Sequence, residues 1–141
     1  MSGAVVDRFR GCALALLLLV LAAGAGRADE LADFHAAIEQ VSAECRSVIG
    51  VLDTSGPEAT AAAVGRLRAS WQVVVQQFGT HAPPAFTDRE DYTTTLLDMD
   101  VRLVGALIII NAGRREAARQ ALTGIEEILS RLQTLSAAPL P

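Results

Sequence analysis

The sequence predicts an all-α protein, an up-down-up-down antiparallel four-helix bundle preceded by a cleavable secretory signal peptide. Three observations carry this reading. Apolar residues recur at alternating spacings of three and four through four segments, helix breakers cluster in the three short stretches between them, and no segment shows the two-residue alternation of a half-buried strand. The four segments are also nearly equal in length, and equal rods joined by short loops pack lengthwise as a bundle.

Residues 1–28 read as an address. A short start with Arg8 and Arg10 leads into an apolar run from Gly11 to Ala23, and the stretch Gly24-Ala25-Gly26-Arg27-Ala28 offers the small side chains that signal peptidase requires. Cleavage is expected after Ala28, with Ala25 as the second choice. The core of the run, Ala13–Ala23, is roughly half the ~20 apolar residues that a spanning helix needs, so no permanent membrane span is expected after cleavage. Arg8 and Arg10 are separated by Phe9, which does not fit a twin-arginine signal, so a periplasmic or secreted chain should cross the membrane unfolded. The alanine-rich, lysine-free usage points to a bacterial source.

The bundle occupies residues 29–136. The first helix, about 30–52, places Leu31, Phe34, Ile38, Val41, Cys45, Val48 and Leu52 on one seam. The breakers Asp53-Thr54-Ser55-Gly56-Pro57 end it, and Ser55 with Glu58 has the spacing of a capping box for the second helix, about 57–78, with Pro57 in its first turn. That helix carries Val64, Leu67, Trp71, Val74 and Phe78. The loop Gly79-Thr80-His81-Ala82-Pro83-Pro84 follows, and Thr87 with Glu90 repeats the capping-box spacing before a third helix, about 88–111. This third helix is apolar on two sides. Tyr92, Leu96, Met99, Leu103, Ala106 and Ile110 form one row, and Leu97, Val101, Val104 and Ile108 form another, which implies deep burial or a face left for a partner. Gly113 is placed to close it, and the fourth helix, about 114–135, repeats Ala118, Ala121, Ile125, Ile128, Leu132 and Leu135. Residues 137–141 are expected to fray.

Composition narrows function by exclusion. The 141 residues include 12 arginines, no lysine and 16 acids, for a formal charge of −4; without residues 1–28 the balance is 9 arginines against 15 acids. Such a chain repels phosphate backbones, so nucleic acid is not an expected partner. The mature chain resembles the periplasmic haem-carrying bundle cytochromes in architecture alone. Covalent haem needs a Cys-x-x-Cys-His run, and Cys45 is the single cysteine left after Cys12 departs with the leader. The Glu-x-x-His pairs of di-iron bundles, phosphate-cradling glycine loops and dinucleotide fingerprints are also missing. No enzyme is therefore expected.

Three readings remain. The first is a non-catalytic binding or interaction module that meets an unknown protein partner or a second copy through the extra apolar face of the third helix. The second is a metal-handling bundle. The topology gathers His35, His81, Asp29, Glu30, Asp33, Asp88, Glu90 and Asp91 at one end, and imidazole with carboxylate suits Cu, Zn or Ni, with His35, His81, Asp33 and Asp88 as the ligand candidates. The same acids also suit helix starts, where the macrodipole favours negative charge. The third reading is a bundle holding an apolar cofactor beside Trp71 and Met99. Cys45, on the first seam, is either a small buried hydrophobe or a redox or intermolecular thiol. Phe78 and Phe86 bracket the proline loop, which is either an ordered recognition surface or, as expected, a plug of the bundle end. Arg114, Arg115 and Arg119 crowd the start of the fourth helix, where they either receive an anion or an acidic partner or pair with Glu116 and nearby acids, the latter expected; Asp98 with Arg102 has the spacing of a surface pair.

Overall fold

The structure, a computed structural model, describes residues 3–83, 86 and 89–137, with side chains from Asp29 onward except at 89. It contains four helices, α1 (Gly3–Thr54), α2 (Pro57–Phe78), α3 (Arg89–Asn111) and α4 (Arg115–Ala137), and no strand among the described residues. Contacts close the helices into a ring: α1 meets α2, α2 meets α3, α3 meets α4, and α4 returns to α1. Side chains at both ends fix the directions. His35 near the start of the packed part of α1 meets Ser136 at the end of α4, while Asp53 at the far end of α1 meets Arg119 at the start of α4. This is a four-helix bundle.

The core lies along the expected seams. Phe34, Ile38, Val41, Cys45, Val48 and Leu52 from α1 face Val64, Leu67, Trp71 and Val74 from α2, with Leu96, Met99, Leu103, Ala106 and Ile110 from α3 and Ala118, Leu122, Ile125, Ile128, Leu129 and Leu132 from α4. Trp71 is fully buried and donates its Nε1–H to the Leu96 carbonyl at 3.3 Å, so the indole adds apolar area without stranding a donor. At one end Phe34 meets Phe78 and Phe86 edge-on, with ring centroids at 5.2 and 5.4 Å, and Phe86 lies 4.8 Å from Tyr92. The Tyr92 hydroxyl donates to the Phe78 carbonyl at 2.8 Å, tying α3 to the end of α2. Phe78 and Phe86 thus plug this end of the bundle, as expected.

The boundaries differ from the sequence expectation in three places. α1 does not start near residue 30 but runs back to Gly3, because the Ala- and Leu-rich stretch before it consists of strong helix formers and contains no proline. The leader reading of residues 1–28 rests on side chains outside the described residues. At α2 the N-cap is Gly56 and not Ser55, with no side-chain cap bond; Pro57 takes the first position, where its missing N–H costs nothing, and the Ser55/Glu58 capping box does not form. Thr87, the capping residue expected for α3, lies outside the described residues. α4 extends to Ala137 and buries Ser136, so the helix outruns its expected end at 135, and residues 138–141 lie outside the described part.

The α3–α4 junction follows expectation. Gly113 adopts a left-handed φ of +73°, its N–H bonds the Ile110 carbonyl at 2.9 Å, and the Arg114 N–H reaches the Ile109 carbonyl at 3.2 Å. This pair of bonds is a Schellman closure, which satisfies carbonyls that the helix end would otherwise leave free.

Candidate functional site: the outer face of α3

The second apolar row of α3 is not buried. Leu97 is 64% exposed, Val101 69% and Ile108 65%, while Val104 between them is half-buried. The spacing of four, three and four holds these residues in one line along about 16 Å of helix, on the side away from the core row. Surfaces seldom leave large aliphatic side chains in such a continuous line, because each prefers to leave water.

Ion pairs border the line on both flanks. Arg68 of α2 binds Asp100 through Nε at 3.0 Å and Nη2 at 3.5 Å. On the other flank Arg102 donates from Nε to Asp98 at 2.8 Å, the expected pair, and its guanidinium leans toward Gly124 of α4. The rim therefore carries two acids and two arginines that neutralise each other. Gly105 leaves open space beside the line. Chemically the face offers apolar contact with a neutral polar border, and nothing that would activate a substrate.

The two histidines are occupied elsewhere. His35 Nδ1 lies 2.7 Å from the Ser136 hydroxyl, which in turn donates to the Gln133 carbonyl at 3.0 Å, and His35 Nε2 lies 3.7 Å from Glu39. Serine, histidine and glutamate thus come together, a grouping the sequence did not reveal because the first two residues are 101 positions apart. Donor counting gives the Nδ1 proton to Ser136 and the Ser136 proton to Gln133, the reverse of what a nucleophile needs. Ser136 also sits in the last turn of α4, where free carbonyls and the negative end of the dipole oppose a developing oxyanion. The grouping is a clasp between α1 and α4.

His81 is exposed and bonds Thr80 at 2.9 Å. Among the described residues no three His, Cys, Asp or Glu side chains converge to hold a metal ion. Asp33 is exposed on α1, and Asp88 lies outside the described residues. Trp71 and Met99 are fully buried in the core. A hollow of about 330 Å³ opens between α1 and α2 over Val48, Ala63 and Leu67, and one of about 80 Å³ lies at the far end beside Pro57 and Arg115; neither is lined by Trp71 or Met99.

Cys45 is fully buried, its Sγ 3.7 Å from the Leu122 carbonyl. Burial pushes the thiol up from an ordinary 9.0 to about 12, with Glu126 adding to the rise and Arg46 opposing it. In the folded chain it packs as a small hydrophobe and holds its proton. At the start of α4, Arg119 pairs with Asp53 and Glu116 as expected, whereas Arg115 donates to the Ser55 carbonyl at 3.1 Å and not to an acid.

Comparison with protein-family models, curated proteins and solved structures finds no match to this chain. No helix is long and apolar enough to cross a membrane among the described residues.

Proposed function

We propose that this chain is an exported, non-catalytic interaction module whose docking face is the outer line of α3. The exposure of Leu97, Val101 and Ile108 carries the reading, since a helix that is apolar on two sides has a use for only one of them in its own core. The paired rim supports it, because an interface border of matched charges tolerates partial desolvation better than lone ones. Export rests on the layout of residues 1–28, and intact mass of the exported protein should show their loss.

A photo-crosslinking amino acid at position 101, in the full chain expressed with its leader, tests the docking face. Irradiation should yield a discrete higher-mass species that is absent when the probe sits at exposed Thr123 on α4. If position 101 gives no more product than position 123, the docking face is wrong.

A further inference from the structure

Resting on that reading, we propose that the occupant of the α3 face is a second copy of this chain, with the two α3 helices antiparallel. The charge pattern argues for self-association. The chain is acidic overall, at −4, yet the rim of this face sums to zero and its charges are already paired within the molecule. Two copies therefore meet here without the repulsion that their net charge imposes elsewhere, and the face presents no unpaired charge with which to select a basic or acidic stranger.

Spacing supplies the second argument. A row repeating at four, three and four is a heptad seam, and it pairs best with another helix of the same period. α3 is itself such a helix. Reversing one copy against the other sets Leu97 opposite Ile108 and Val101 opposite Val104 of the second copy, so all four apolar residues are covered by their own kind. In that register Asp98 lies toward Gly105 of the second copy, where open space receives it, and Asp100 lies toward Leu107; neither acid faces another. Four side chains per copy make a small contact compared with the roughly 800 Å² per partner of a standard interface, so the dimer should be weak and concentration-dependent.

Sedimentation equilibrium of the exported protein, from micromolar to millimolar concentration, measures this association. The expected result is a reversible monomer–dimer equilibrium that Val101→Asp weakens by roughly tenfold or more while leaving helicity unchanged. A monomer throughout the range overturns the proposal. Position 101 then separates the two ideas: a crosslink to a chain of different mass leaves the docking face standing with another occupant, and no crosslink removes both. For the register, Val101→Cys and Val104→Cys proteins are mixed under mild oxidation, buried Cys45 being unreactive. Disulfides should form between the two variants faster than within either, and a faster bond within the Val101→Cys protein overturns the antiparallel arrangement.

Discussion

Cys45 shows how much one side chain reveals once its surroundings are known. Its place on the first seam was legible, because a residue between Val41 and Val48 at helical spacing has to point inward. Burial then sets the chemistry. The folded thiol is held near 12 against an ordinary 9.0, so the stability it contributes is complete below about pH 9 and declines as pH rises toward 12. Tyr92, pushed by burial from 10.0 to about 12, acts in the same direction from about pH 10 upward. Urea midpoints measured between pH 8 and pH 11 should therefore fall, and the fall should be shallower in Cys45→Ala. Labelling of Cys45 by a thiol reagent should proceed at the unfolding rate in native buffer and promptly in urea. Gly113 is the other residue whose role was legible, since only glycine takes φ +73° without strain; Gly113→Ala should cost about 1 kcal/mol in urea unfolding. Ser136 was not legible. A serine next to an expected fraying tail carries no signal of burial, and its partner His35 is near the other end of the bundled chain.

At the scale of elements, periodicity located α2, α3 and α4 to within about two residues, because long amphipathic repeats leave little choice of face. The capping residue of α2 was missed, because a single backbone conformation decides it. Ser55 and Glu58 had the right spacing for a cap, yet Pro57 fixes the first turn so that Gly56 becomes the cap. α3 was the least determined element, since two apolar rows do not say which is buried. The structure separates them sharply: Leu103 is fully buried, and Val101 two residues earlier is 69% exposed. Leu103→Ala should lower stability by about 2–5 kcal/mol, whereas Val101→Ala should change it by less than about 0.5 kcal/mol. Chemical denaturation of the two variants at one low protein concentration makes the comparison free of any self-association. Equal losses would mean that the outer row packs in solution.

For the whole molecule, the ring of contacts explains how a chain with only 4% aromatic residues fills its core. Each helix covers two neighbours, so Leu, Ile, Val and Ala are buried from several sides, and the few rings are concentrated at the end that the proline loop must seal. The core begins at Phe34, and α1 at 52 residues is roughly 78 Å long against about 33–35 Å for the other helices, so its first half runs past the end of the bundle. Deleting residues 1–28 should accordingly leave the thermal midpoint unchanged within a few degrees. The clasp between His35 and Ser136 also bears on connectivity. It brings the two ends of the bundled chain side by side, so the order in which the helices are threaded is not dictated by their packing. A short linker from Ala137 to Asp29, with new ends opened at the α1–α2 turn, would leave every helix its present neighbours; the four rods form a closed circuit that evolution or an engineer can cut elsewhere.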